Sequence, residues 1–429
     1  MHIVALALKA VGINVDELTL STRSLYGSRK AIRQSIGKTI KNTFLPNTTL
    51  VAHFDGKLLP DFDGVNIDRL PIVVSEKNVE KLIAILKVGG TGINIGTTIV
   101  QLLQNWEGVS NWLAGLCFDT TSFNIGIHTG AITIIQKFFN KHLLFLACRH
   151  HILKIIETAL FDLFFTSSGP QIAIFSRFKD QWPSINQLKY ASIDKVTTGC
   201  SLTDDENLWL KQNRVAMIDF LQDQLQNTQP RHGYLQLIRL SLITFGVSDP
   251  TAVQVTSPGA YHRARWMAKG VYCLKIFCFR EQLKLTAYEL QALKRLCLFT
   301  VTVYVKAWFC AANSCSAPYK DLCFFQTQEL FEKVDCKVGK EAMKKIKRNL
   351  WYLSEDLVGM TFVSDWVNVD EKKLMRSSMN FANRWVLRSA PNFVNDGEVV
   401  RKRGREFQKK GLEKAKADLT KECLTRVKK

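Results

Sequence analysis

The chain has no paired cysteine framework, no apolar run long enough to cross a membrane, and a stretch of 37 residues without a single acid. Each absence excludes something. Its 11 cysteines are an odd number without regular spacing, and most sit in apolar runs (Cys117, Cys273, Cys278, Cys297), where cysteine behaves as a small hydrophobe. A disulfide-stapled secreted fold is therefore not expected. The opening Met1-His2-Ile3-Val4-Ala5-Leu6-Ala7-Leu8-Lys9 lacks the basic start and long apolar run of a secretory leader, which points to a reducing intracellular compartment. The most apolar stretch, 142–165, is broken by Arg149, His150, His151 and Lys154, and 296–312 is short and contains Lys306, so no membrane span is expected.

Other signatures are missing too. Gly89-Gly90-Thr91-Gly92 lacks the Gly-Lys-Ser/Thr ending of a phosphate loop and predicts a plain connection. No serine stands at a nucleophile elbow. No Cys/His zinc-finger spacing occurs, and no zinc is expected. The acid-free stretch lies between Leu18 and Phe54, where Arg23, Arg29, Lys30, Arg33, Lys38 and Lys41 are unopposed. It suits either a solvated helix face or a DNA-contacting arm.

What is present begins with charge and apolar content. Among 429 residues, 58 Lys+Arg stand against 38 Asp+Glu, a net of +20, and such a field attracts polyanions, nucleic acid first among them. The 46% hydrophobic content allows a large core and excludes a disordered chain. Residues 401–429 carry 12 Lys+Arg against 4 Asp+Glu, two-fifths of the whole excess, and open on Arg401-Lys402-Arg403-Gly404-Arg405, a pattern compatible with nuclear import.

Two aspartates each close an apolar run: Asp55 in Leu50-Val51-Ala52-His53-Phe54-Asp55-Gly56 and Asp119 in Leu116-Cys117-Phe118-Asp119-Thr120-Thr121. A carboxylate at a strand end can meet metals or phosphates at the sheet edge. The plainer role is a turn or helix cap, which Thr120, Thr121 and Ser122 would suit. Periodicity predicts strands at 50–59, 67–75 and 81–88, a helix at 95–106, a strand at 112–118, a helix at 131–140, a short strand at 143–147 and a helix from 149 to 165. Three strands, helix, strand, helix, strand, helix is the element order of an RNase H-like domain, in which the first and fourth strands lie side by side. From 202 onward the apolar period is helical almost throughout.

The chain resembles the DDE transposases of the hAT superfamily and the transposon-derived proteins of animal genomes. The resemblance rests on the two aspartates in that element order, on Cys148-Arg149-His150-His151, which matches a Cys-x-x-His motif, and on Arg265-Trp266, which matches an Arg-Trp motif. It runs from Asp55 to about Asp365 and implies an α/β fold: an RNase H-like mixed five-stranded sheet with flanking helices, interrupted by a large α-helical insertion. The implied organisation is a basic helical lead-in (1–45), the first part of the core (46–165), the insertion (166–335), a C-terminal helix completing the core (336–380) and a basic tail (381–429). It further implies DNA binding with metal-dependent strand cleavage and transfer. Asp55, Asp119 and Glu355 would hold two Mg²⁺ or Mn²⁺ ions, hard cations that take oxygen ligands. Asp356 and Glu329 are fallbacks for the third acid. Arg263, Arg265 and Trp266 would contact DNA, as would Arg401, Lys402 and Arg403, while Cys148 and His151 form a structural motif. Expected partners are DNA and, compatibly, further copies of the chain, in the nucleus and without a membrane. The rival expectations are a domesticated, catalytically inactive DNA-binding or protein-interaction module, and a scaffold whose basic surface is incidental.

Overall fold

A computed structural model describes residues 2–18, 21–61, 64–76, 79–141, 143–165, 172–197, 199–247, 255–259, 268–312, 316–347, 361, 364–365 and 367–374. The chain divides into two compact units, 1–116 with 122–143, and 117–121 with 144–429.

The first unit opens with helices α1 (His2–Ala10) and α2 (Thr22–Thr43), followed by strands β1 (Leu50–Phe54), β2 (Lys57–Pro60), β3 (Asn66–Glu76) and β4 (Val79–Lys87). Next come α3 (Gly92–Gln104), α4 (Val109–Trp112), β5 (Leu113–Phe118), whose last two residues belong to the second unit, α5 (Ser122–Ile125) and α6 (Ala131–Phe139). With β6 (Leu144–Ala147) the strands form one sheet in the order β2-β3-β1-β5-β6, with β4 also paired to β3. The β-branched and aliphatic residues of β1 are buried on both faces, as a central strand requires.

β1 and β2 are one strand with a break. Val51 to Phe54 pair antiparallel with Ser75 to Ile72, and Lys57 to Pro60 continue the same register against Arg69 to Asn66. Asp55 therefore falls opposite Pro71, which brings no N–H to the ladder there. On the other side of β3 the β4 register shifts between Ile72 and Val73. The sheet is thus five strands deep, mixed α/β with flanking helices, and the predicted strand 50–59 is present but interrupted at its aspartate. Asp55 does not end the strand; it occupies the break within it.

Gly89-Gly90-Thr91-Gly92 turns out to be a helix start. Thr91 caps α3 by accepting the Asn94 N–H. A Cβ on Gly92 would lie 2.3 Å from the Phe123 carbonyl oxygen, and one on Gly96 2.8 Å from Ile134, so both glycines let α3 approach its neighbours closely.

The second unit, beyond β6, is helical: α7 (Arg149–Asp162), α8 (Ala173–Gln181), α9 (Asp204–Gln226), α10 (His232–Thr244), α11 (Ala268–Cys278), α12 (Ala287–Phe299), α13 (Val305–Phe309), α14 (Ala317–Val334) and α15 (Cys336–Ile346). Among its described residues after β6, the only strand-like pairing is the isolated bridge Thr197–Cys200. Reciprocal capping boxes start α9 (Thr203, Glu206) and α12 (Thr286, Glu289). A π-turn, Thr300–Tyr304, joins α12 to α13 and is buried at every position. The core gathers Leu153, Ile156, Leu237, Leu274, Phe277, Leu293, Trp308 and Phe331, all close to fully buried. The C-terminal helix expected within 336–380 begins as α15, up to Ile346; residues 348–360 lie outside the described residues.

Candidate functional site

β1 and β5 are neighbours in the sheet, and each is followed directly by one of the two aspartates, Asp55 and Asp119. Both are half-buried. Strand alternation puts His53 on the same face as Asp55. Its Nε2 lies 2.7 Å from the Ser75 hydroxyl on β3, and burial pushes the imidazole below its ordinary range, with Glu80 opposing. The proline and the register shift beside Asp55 disturb the ladder locally, a feature that recurs where a strand must aim a side chain.

Asp119 is held by a short turn. Its Oδ1 accepts the Thr121 N–H at 3.2 Å and the Thr121 hydroxyl at 2.8 Å. This is the turn geometry that the neighbouring threonines predict. It leaves the carboxylate fixed in direction, which suits a structural turn and a preset ligand alike.

The Phe118 carbonyl accepts the Cys148 N–H at 2.8 Å, so the C-terminal ends of β5 and β6 lie at the same sheet edge. Phe118 and Phe145 pack edge to face there, with ring centroids 4.6 Å apart. Cys148 is consequently the N-cap of α7, without a side-chain capping bond. His151 follows three residues later, near enough in helical phase to share its side of α7.

The two residues between them anchor the motif. Arg149 is buried; its guanidinium donates to the Cys310 carbonyl at 3.1 Å and forms an ion pair with buried Asp321 on α14. His150 meets the Trp308 carbonyl at 3.2 Å, and its ring lies 4.3 Å from the Trp308 ring and 5.9 Å from that of Tyr234. Burial pushes His150 down to about 4, so it is neutral at neutral pH. Arg149 and Arg231 push the same way, and the Trp308 carbonyl opposes them. The start of α7 is thus bolted to α13 and α14.

A second polar cluster lies further along α7. Glu157 is buried, and its Oε1 accepts the Gly270 N–H, one of the otherwise unpaired donors at the start of α11. Its Oε2 and the Tyr304 hydroxyl make no hydrogen bond. Both line a cavity of about 10 Å³, the size of one water, with Lys269, Cys273 and Thr300. Desolvation raises the Glu157 carboxyl to about 8, against the Gly270 bond and the charges of Lys269 and Lys154. Lys269 is itself paired to Asp162 at 2.8 Å. Sequence reasoning passed over Arg149 as a binding element and Glu157 altogether. The one available signal was an acid flanked on its helix by Leu153, Ile156, Leu160 and Phe161.

Arg263, Arg265, Trp266, Glu355, Asp356, Arg401, Lys402 and Arg403 lie outside the described residues. Glu329, the other fallback for the third acid, lies on α14. Among the described residues, no three His, Cys, Asp or Glu side chains are grouped to hold a metal ion. Among the described residues, no helix is long and apolar enough to cross a membrane. No protein-family model and no curated protein matches the chain.

Proposed function

We propose that this chain is a DNA-binding protein of the hAT-like transposase type, built on an RNase H-like core with a helical insertion. The observation that carries this reading is the strand order. The strand broken at Asp55 neighbours the strand that leads into Asp119, and the next strand leads into Cys148 and His151. The net charge of +20 supplies the attraction for a phosphate backbone.

In this reading Asp55, Asp119 and Glu355 hold divalent ions. Their donors are carboxylate oxygens, the ligands that hard cations such as Mg²⁺ or Mn²⁺ take. When bound, such ions activate the attacking oxygen and neutralise the leaving one. The chain's own contribution is orientation: Thr121 fixes the Asp119 carboxylate, and Asp55 sits in the break between β1 and β2, opposite Pro71. In strand cleavage and transfer a water or terminal hydroxyl oxygen bonds to phosphorus while the bridging oxygen leaves. Arg263, Arg265, Trp266 and the basic residues Arg401, Lys402 and Arg403 would contact DNA, and the protein would act in the nucleus, with self-association compatible.

The test is plasmid nicking with Mg²⁺ or Mn²⁺. Asp55→Asn and Asp119→Asn should each abolish cleavage while DNA binding persists, and Glu355→Gln should do the same if it is the third acid. A second reading, a catalytically inactive binder derived from such an enzyme, draws on the Asp119–Thr121 turn, which gives that carboxylate a structural task of its own. Salt-dependent DNA retention without nicking on any element end would favour it.

A further inference from the structure

Helix α2 starts with a Ser21–Ser24 capping box and runs for 22 residues, about 33 Å, without burying one of them. At 100° per residue, Leu25, Ile32, Ile36 and Ile40 fall in a stripe ~80° wide. The three isoleucines are 58%, 52% and 38% exposed. Arg29 falls within that stripe, Arg33 borders it, and Lys30, Lys41, Arg23 and Lys38 continue around from the same side. The opposite flank carries Ser24, Ser28, Ser35, Thr39 and Asn42, which are uncharged. The helix contains no acid. Its surface therefore has three sectors: a narrow apolar seam, a cationic flank and a neutral flank.

We propose that α2 is a docking helix for an acidic protein partner, one that offers an apolar groove or seam with carboxylates along one rim. Isoleucines at i, i+4 and i+8 present regularly spaced knobs, the geometry of a helix laid into a groove. The cations on a single side give that docking one favoured orientation and discriminate against basic surfaces. The competing occupants match only part of the helix. Duplex DNA would take up the cations and leave the isoleucines in water. A bilayer suits a broad apolar face with Trp or Phe, whereas this seam is narrow, has neither, and contains Arg29 in its line. A second copy would bring six cations against six, within the ~8 Å over which salt leaves charges unscreened. This inference is independent of strand cleavage, because none of the residues concerned belongs to the proposed metal site.

The experiment titrates the full chain against a fluorescein-labelled amphipathic peptide with a leucine seam flanked by glutamates. A random-sequence DNA duplex and phosphatidylserine-containing vesicles are run in parallel. The peptide should bind. Ile32→Gln with Ile36→Gln should weaken it by ~tenfold or more at unchanged thermal unfolding, since both side chains are exposed. Arg29→Gln with Lys30→Gln and Arg33→Gln should weaken it as well and flatten its salt dependence. The proposal is overturned if the peptide fails to bind, if its affinity ignores the isoleucine pair, or if loss of that pair instead releases the vesicles or the DNA.

Discussion

Helix α2 buries none of its 22 residues, and helix α11 buries all of its 11. Both carry lysines, yet the lysines of α11 are each given a partner inside the fold. Lys269 meets Asp162 at 2.8 Å, and Lys275 donates to the Thr256 carbonyl at 2.7 Å, with burial pushing its ammonium down to about 8. The cations of α2 all lie exposed on its surface, and Arg33 donates only to the Arg29 carbonyl of its own helix, at 3.2 Å. A charge on an apolar helix is tolerated in two ways, by solvation or by a specific bond, and the two differ in what a substitution costs. Where the bond is specific and buried, removing one member strands the other.

The sharpest break of this contrast is Arg149→Ala. Its buried pair with Asp321 joins residues 172 positions apart. Removing the arginine leaves a buried carboxylate that already feels desolvation strongly. A loss of ~3–5 kcal/mol is expected in chemical denaturation. Replacing both members with apolar residues of similar volume should recover most of it. If Arg149→Ala melts like the parent chain, the pair is not a fastener.

Next in size is Gly270→Ala. A Cβ there would lie 2.3 Å from Glu157 Oε1, so the carboxylate must swing off and lose the Gly270 N–H. The stranded buried acceptor costs ~1–3 kcal/mol, partly offset by the better helix propensity of alanine. A net loss of ~1–2 kcal/mol in urea unfolding would fit both effects. A stabilised variant would show that Glu157 does not fasten α11.

These contrasts also mark what a sequence can and cannot disclose. Strand positions and the helical second half were legible because alternation and the 3.6-residue period are local. The expected strand at 50–59 was right in extent, but its break was not legible, since the residue opposite Asp55, Pro71, is brought there from another strand only by folding. The turn role of Asp119 was legible in Thr120 and Thr121. His150 looked like an interruption of the same apolar run that holds Arg149, yet the Trp308 carbonyl meets it inside the fold. Arg149 looked like an interruption of an apolar run because its partner lies far along the chain. Gly92 looked like a loose connection for the same reason: its closest neighbours, Phe123 and Thr129, are brought to it only by folding.

A pH titration sharpens the contrast further. The folded Glu157 carboxyl titrates near 8 and its ordinary value is 4.5, so the folded chain holds this proton more tightly than the unfolded one. Its contribution to stability is full below about 4.5 and is lost as pH rises toward about 8, with a slope of at most ~1.4 kcal/mol per pH unit. Glu157→Gln removes that slope, so the variant should overtake the parent chain on the alkaline side. His150 acts in the opposite sense: its folded value of about 4 against 6.5 means stability present above 6.5 and lost as pH falls toward 4. Parallel pH profiles for the parent chain and Glu157→Gln would remove the buried acid from the account.

The smallest expected effect belongs to α2, and it tests the contrast from the other side. Ile36 is 52% exposed on a helix that buries none of its residues, so Ile36→Ala removes little apolar surface that folding had hidden. Alanine also has the higher helix propensity, and the isoleucine gives up rotamer freedom in a helix. The two effects oppose each other, and unfolding should shift by no more than ~0.5 kcal/mol in either direction. A comparable truncation in α11, Ile276→Ala at a fully buried position, should cost ~2–5 kcal/mol. If Ile36→Ala approached that cost in the isolated chain, the isoleucine seam of α2 would already be covered in solution by another part of the same chain or by a second copy. The seam would then be unavailable to an acidic partner. Measuring the two variants side by side, at two protein concentrations, separates these cases, because only self-association makes the cost depend on concentration.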